Sequence, residues 1–176
     1  MNALVKERRW VLTFVEGENP WREIGDPIMG GLSYGDMTIA SGIGIFSGVV
    51  SFDRGGGFAS VRSGDGIYDL SDHRGLVLRV QGDGKRYGLR LRTSKVFDGI
   101  NYQADFQPPA DVWQDVEIPF TSFLPVFRGK QVTGIPPLDP SAIRSFGLII
   151  ASRQAGPFRL EIESIKCSWS RGGLDK

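Results

Sequence analysis

The residues that most often perform chemistry in enzymes are scarce in this sequence. His73 is the only histidine, and it lies in a polar loop between Asp72 and Arg74. An isolated loop histidine is most often solvated. Cys167 is the only cysteine, and its alternating apolar surroundings favour a buried structural thiol. These two side chains cannot assemble an ordinary zinc site. With no other reactive set in the sequence, we predict no catalytic residue, no metal site and no cofactor.

Two further patterns come close to ligand sites without completing them. Asp65, Asp69 and Asp72 share one loop, and their carboxylates could bind calcium. Their spacing matches no EF-hand, so solvated loop acids are the main interpretation and a bound cation the alternative. The glycines between residues 42 and 57 complete neither the dinucleotide motif nor the P-loop. These glycines therefore indicate turns, bulges or close backbone contacts.

Arginine residues form the pattern that allows a functional interpretation. If the strands alternate as their apolar residues suggest, four arginines project from one face of neighbouring strands, and Gln103 and Asp105 could join them. Like charges on one sheet face repel each other unless they meet acids, water or an anionic partner. A solvated outer face and a groove that binds a partner or ligand both remain open. The four are Arg62, Arg79, Arg90 and Arg92.

The elements that must position these residues are strands. The chain has 24 glycines and 11 phenylalanines among 176 residues. Roughly ten short alternating runs separated by turn residues predict an all-β jelly-roll sandwich with almost no helix. Residues 143–151 form a nearly continuous apolar run, as in a central strand, and a slip in the alternation predicts a bulge near Ser164. The Gly-Asp-Gly sequence at 82–84 predicts a tight hairpin.

Length and charge predict one soluble domain. Residues 9–170 are expected to form the sandwich, residues 1–8 a flexible leader and residues 171–176 a disordered tail. The net charge of +1 gives no general attraction to nucleic acid or to an acidic membrane. No signal peptide or membrane-spanning run is recognisable. These features predict a cytoplasmic location.

Several blocks resemble the signature of the complex I intermediate-associated protein family. The two most specific are DPIMGGLS at 26–33 and GGFASVR at 56–62, and the later blocks include YQADF at 102–106 and GPFRLEI at 156–162. The resemblance covers residues 10–169. We expect the signature to serve the fold more than a binding surface. Its structural residues are Asp26, Pro27, Met29, Gly30, Gly31, Gly56, Gly57 and Phe58.

The resemblance implies a galactose-binding-like fold and a role without catalysis. The family includes a mitochondrial assembly factor for the membrane arm of NADH:ubiquinone oxidoreductase, and it offers no catalytic residues to carry over. The implied function is a chaperone-like binding protein whose partners are subunits of complex I or a related assembly. The alternative is a carbohydrate-binding module with Trp21, Tyr34 and Trp113 as stacking platforms. An enzyme would need paired acids in a cleft, and the sequence shows no such pair.

Overall fold

The chain folds into two antiparallel sheets. The computed structural model describes residues 10–25, 32–53, 56–96 and 98–168. Within these ranges there are thirteen strands and two single-turn 3₁₀ helices, at Phe120–Ser122 and Pro140–Ala142. The strands are β1 Trp10–Thr13, β2 Arg22–Glu23, β3 Tyr34–Ala40, β4 Ile43–Val50, β5 Ala59–Arg62, β6 Gly75–Gln81, β7 Tyr87–Arg92, β8 Asn101–Phe106, β9 Trp113–Pro119, β10 Leu124–Phe127, β11 Lys130–Gln131, β12 Ser145–Ile150 and β13 Gly156–Cys167.

Each sheet mixes strands from distant parts of the chain. The six-stranded sheet has the order β3-β4-β13-β6-β9, with β1 also paired to β13. The seven-stranded sheet has the order β11-β10-β8-β7-β12-β5-β2. Side chains alternate between the two faces of a strand, so each sheet turns one apolar face inward. The two inward faces pack together as a sandwich.

An aromatic cluster joins the two sheets in the core. Phe46 and Phe158 come from the six-stranded sheet, and their ring centroids lie 4.9 Å apart. Tyr87 comes from the seven-stranded sheet, and its ring lies 6.3 Å from each of the other two. All three side chains are buried. Such tilted and edge-to-face pairs add about 0.5–1.5 kcal/mol each beyond the burial of their area.

The main features predicted from alternation are confirmed. The protein is an all-β sandwich, with thirteen described strands where about ten were expected. Strand β12 is buried along its whole length and lies between β7 and β5. The register of β13 against β6 shifts between Ile162 and Ser164, at the predicted bulge. No helix among the described residues is long and apolar enough to cross a membrane.

The predicted hairpin at 82–84 is wrong, because β6 and β7 belong to different sheets. The segment between them crosses from one layer of the sandwich to the other. Asp83 fixes this crossing: its carboxylate accepts hydrogen bonds from the Tyr87 hydroxyl at 2.9 Å and from the Arg159 amide at 2.8 Å. Gly84 adopts a φ of 85°. A Gly-Asp-Gly turn serves such a crossing as well as it serves a hairpin.

Gly57→Val is expected to destabilise the protein by about 1–3 kcal/mol. Gly57 has a φ of 134°, a region that side-chain-bearing residues rarely adopt. A β-carbon there would also lie 3.1 Å from the Phe52 ring. Urea unfolding measures the effect. Gly64→Val is the control, because Gly64 has an ordinary φ and would place its β-carbon 3.4 Å from Pro20. An equal decrease in the free energy of unfolding for Gly57→Val and Gly64→Val would contradict the prediction.

The remaining organisational predictions fall partly outside the described residues. Residues 1–8 and 171–176 lie outside the described residues, so the leader, the tail and the domain limits stay predictions. Asp26, Pro27, Met29, Gly30 and Gly31 also lie outside.

The second signature block has a structural role. Phe58 is half-buried. A β-carbon on Gly25, which has a φ of 118°, would overlap the Phe58 ring. Phe58 therefore packs against the backbone that leads into the first signature block. This contact supports the interpretation that the signature serves the fold.

Candidate functional site: an arginine row on the seven-stranded sheet

The outer face of the seven-stranded sheet brings together most of the residues predicted for a site. On β7, Tyr87, Leu89 and Leu91 are buried in the core. Arg90 and Arg92 alternate with them and therefore belong to the outer face. The same alternation on the neighbouring strands places further predicted residues on this face. These are Arg62 on β5 and Gln103 and Asp105 on β8.

The strand register aligns these residues in one row across six strands. Gly147 on β12 pairs with Arg62 on one side and with Arg90 on the other. Arg62 in turn pairs with Arg22, and Arg90 pairs with Gln103. We call this row the arginine row and include Arg92, which lies two residues beyond Arg90 on β7. Its members in spatial order are Arg22, Arg62, Gly147, Arg90, Gln103 and Leu124.

A small cleft opens over the middle of the row. Its volume is about 10 Å³, which is room for one water molecule. Gly147 forms part of its lining, between the arginines of β5 and β7. Sequence reasoning missed Gly147, although a glycine inside a continuous apolar strand is a signal of close approach or open space. The residues that line the cleft include Ser60, Arg62, Arg90, Arg92, Asn101 and Gly147.

Burial lowers the pKa of each of the three arginines at the cleft. Burial lowers the pKa of Arg62 to about 10, and the positive charge of Arg92 adds to this shift. Burial also lowers the pKa of Arg90 to about 10; Arg62 and Arg92 lower it further, while Asp105 acts in the opposite direction. Both values lie well above neutral pH. The guanidinium groups of Arg62 and Arg90 therefore remain charged in a partly dehydrated space, and arginine in general is not deprotonated in proteins near neutral pH.

Hydrogen bonds hold the row in place. The Nε of Arg90 donates to Oε1 of Gln103 at 2.9 Å, and Nε2 of Gln103 donates to Oδ1 of Asp105 at 2.8 Å. Arg92 is only 3% exposed, and its Nη2 donates to the carbonyl oxygen of Val96. Arg92 is therefore buried, which argues against a fully solvated face at this position. The neighbouring carboxylate of Asp98 opposes the lowering of the Arg92 pKa by burial.

Arg79 does not belong to this face, and the prediction that it does is wrong. Arg79 lies on β6 of the six-stranded sheet, because the segment after β6 crosses the sandwich instead of forming a hairpin. Its guanidinium lies 3.5 Å from the Asp115 carboxylate and 3.7 Å from that of Glu163. These three charges form a partly exposed ion-pair cluster on the opposite outer face.

The three aromatic residues predicted as sugar platforms do not form one surface. Trp21 is buried and stacks on Phe14, with ring centroids 6.1 Å apart. Tyr34 is exposed on β3, and Trp113 is half-buried at the start of β9. Strands β3 and β9 are opposite edges of the six-stranded sheet. Within the described ranges, the outward side chains on the strands of the seven-stranded sheet include no aromatic ring.

The acidic loop is occupied by protein contacts. Arg144 binds Asp65 through two hydrogen bonds, of 2.9 and 2.6 Å, which lower the pKa of that carboxyl. Asp69 accepts a hydrogen bond from the hydroxyl of Ser71 at 2.6 Å. Across the described residues, no group of three histidine, cysteine or acidic side chains is placed to hold a metal ion.

The two classical reactive side chains have ordinary structural surroundings. Cys167 is 1% exposed and belongs to the core. Nδ1 of His73 lies 3.0 Å from the carbonyl oxygen of Ser168. The imidazole therefore contacts backbone, and the thiol is shielded from solvent.

Comparison with known proteins identifies the family. The model of the family "Complex I intermediate-associated protein 30 (CIA30)" matches residues 12–162. This chain belongs to the CIA30 family. The resemblance seen in the signature blocks is thereby confirmed.

Named relatives of this CIA30 domain are mitochondrial. Complex I intermediate-associated protein 30, mitochondrial, of Drosophila melanogaster is 27% identical over 147 residues, which are 72% of this chain and 50% of the relative. The Mus musculus protein of the same name is 33% identical over 102 residues, which are 56% of this chain and 31% of the relative. The chain thus spans half or less of these relatives. Their names point to mitochondria, so the cytoplasmic prediction is wrong.

Solved structures confirm the galactose-binding-like fold of the CIA30 domain. The family 11 carbohydrate-binding module of the cellulase Lic26A-Cel5E of Clostridium thermocellum has a TM-score of 0.69 at 20% identity. The match covers 93% of this chain and 95% of the module. The same module with a mixed-linked β-1,3-1,4 tetrasaccharide matches equally well. At this identity the likeness establishes the fold alone.

Proposed function

We propose that this domain is a non-catalytic protein-binding domain that contacts subunits of respiratory complex I, or of a related multisubunit complex, during assembly. The observation that carries the proposal is membership of the CIA30 family over residues 12–162. The named relatives are associated with complex I intermediates. The buried thiol of Cys167 and the backbone-bound imidazole of His73 support a role without catalysis.

The surface we assign to this contact is the arginine row. Arg22 is exposed, while Arg62 and Arg90 are half-buried. The row therefore has one fully accessible charge and two partly accessible charges that a bound partner would bury further. Guanidinium groups bind carboxylates through paired hydrogen bonds. A subunit with an acidic patch would fit this face. Leu124, which is 47% exposed at the end of the row, adds apolar area for the same contact.

Affinity capture tests this proposal. The tagged chain is expressed in its native host, and the proteins that it retains are identified by mass spectrometry at about 50 and about 300 mM salt. We expect complex I subunits at low salt and much less at high salt, because contacts with exposed charges are screened. Retention of only general chaperones and ribosomal proteins would contradict the proposal.

A carbohydrate-binding function is the alternative that the fold favours. The module from Clostridium thermocellum, with a TM-score of 0.69, was solved with a bound tetrasaccharide. Sugar sites commonly present aromatic rings beside a few polar groups, whereas the arginine row presents guanidinium groups. A glycan screen at millimolar sugar, followed by thermal shift, decides this alternative. We expect no shift in melting temperature with any sugar.

A further inference from the structure

The cleft over Gly147 has the layout of an anion site. Arg62 and Arg90 both pair with Gly147, one from each side. The Cα atoms of the two arginines are therefore about 10 Å apart, which is twice the spacing between neighbouring strands. Arg92 follows two residues along β7 and pairs with Ser145. Because Gly147 has no side chain, nothing from β12 separates the guanidinium groups above it. Three cations from two strands therefore border one opening.

The absent side chain of Gly147 creates the space. A β-carbon at this position would lie 3.1 Å from the carbonyl oxygen of Val61 and 3.4 Å from Cβ of Arg90. The cleft has room for one water molecule, and a methyl group is of similar size. A single methyl group on Gly147 would therefore close it.

Charge and size together select the ligand. Arg62, Arg90 and Arg92 repel one another, and burial strengthens that repulsion because water screens it less. An oxyanion among them offsets the repulsion and accepts several charge-assisted hydrogen bonds. Asn101 at the rim offers a neutral amide as well. The volume admits one oxygen atom of an anion but not a sugar ring.

We propose that the Gly147 cleft is an oxyanion site that takes one carboxylate, supplied by an aspartate or glutamate side chain of the protein partner. The source of the carboxylate rests on the proposed function, whereas the binding of an oxyanion does not. The carboxylate oxygen enters over Gly147 and accepts hydrogen bonds from Arg62 and Arg90. Arg92, which is almost fully buried, also lines the cleft and adds its charge.

NMR titration of the purified chain tests the site directly. The Nε–H signals of the arginines are followed while sodium acetate replaces sodium chloride at constant ionic strength. We expect saturable shifts for Arg62 and Arg90 and only small, linear shifts for the exposed Arg74. The capped peptide Gly-Glu-Gly should reproduce these shifts, and capped Gly-Gln-Gly should not. Linear shifts of equal size in all three arginines would overturn the proposal.

Gly147→Ala is the decisive variant, because it closes the cleft without changing any charge. We expect it to weaken acetate binding by about tenfold or more. Arg62→Gln, which keeps the glycine, is the second variant and should weaken binding to a similar extent. Unchanged acetate binding in both variants would overturn the site. Saturable binding of inorganic phosphate without binding of acetate would overturn the assignment to a carboxylate.

The two proposals can fail separately. If wild-type chain binds acetate at the cleft but captures no complex I subunit, the proposed function is wrong and the oxyanion site stands. If Gly147→Ala loses acetate binding but captures subunits normally, the partner does not use the cleft. In that case the inference of a partner carboxylate is overturned, and the proposed function stands.

Discussion

Gly48→Ala is expected to lower the free energy of unfolding by about 3 kcal/mol or more and to leave little folded protein at 37 °C. Gly48 on β4 pairs directly with Gly35 on β3. A β-carbon at Gly48 would overlap the carbonyl oxygen of Tyr34 and lie 2.8 Å from Cα of Gly35. These are backbone atoms of the paired strand, so they cannot move aside without breaking the β3–β4 ladder.

Urea unfolding with Gly147→Ala as the matched control measures this effect. Both glycines lie inside strands and have an ordinary φ, but a β-carbon at Gly147 would approach nothing closer than 3.1 Å. We expect Gly147→Ala to stay within about 1 kcal/mol of the wild-type stability. A wild-type unfolding midpoint for Gly48→Ala would show that β3 and β4 do not approach each other in this way.

Arg90→Glu is expected to reduce the affinity for complex I subunits by about a hundredfold, because it reverses the central charge of the arginine row. Stability should change by no more than about 1 kcal/mol. The variant loses the hydrogen bond from Arg90 to Gln103, and the new carboxylate is attracted by Arg62 and Arg92 while Asp105 repels it. Capture from host cells measures the affinity for complex I subunits, and a thermal melt measures the stability.

Arg74→Glu is the control for net charge. Arg74 is exposed and precedes β6 of the six-stranded sheet, so the same charge reversal there leaves the arginine row intact. We expect capture by Arg74→Glu to match that of the wild type. Equal losses in the two variants would mean that only the overall charge of the chain matters.

Local alternation predicted the strands well and their partners poorly. The continuous apolar run that became β12 and the slip near Ser164 depend on period-two burial, which neighbouring residues report directly. The sheet to which a strand belongs depends on contacts between distant residues. Asp83 fixes the crossing through Arg159, which lies 76 residues away. No local pattern at residues 82–84 reveals that contact.

For the candidate site, too, local alternation predicted the face of a strand but not the sheet to which the strand belongs. Alternation placed Arg62, Arg90, Gln103 and Asp105 on one face, and the structure puts them in one sheet. Arg79 was misplaced because its sheet was misjudged. The glycine inside the apolar run signals a close approach or open space, but the role of Gly147 depends on its pairing with both Arg62 and Arg90. That register joins three segments that are far apart in the chain.

The location was misjudged for a different reason. A sequence reports targeting only through the segments that it contains, and the matched relatives extend well beyond the region shared with this chain. The mitochondrial names of those relatives come from whole proteins. The fold of the shared domain carries no such information.

Site-specific photo-crosslinking in host cells tests most directly whether the arginine row contacts the partner. A photoreactive amino acid is placed at Leu124, on the row, or at Glu117, which is exposed on β9 of the six-stranded sheet. We predict crosslinks to complex I subunits from position 124 and none from position 117. Crosslinks to those subunits from position 117 alone would contradict the account and move the contact to the opposite face of the sandwich.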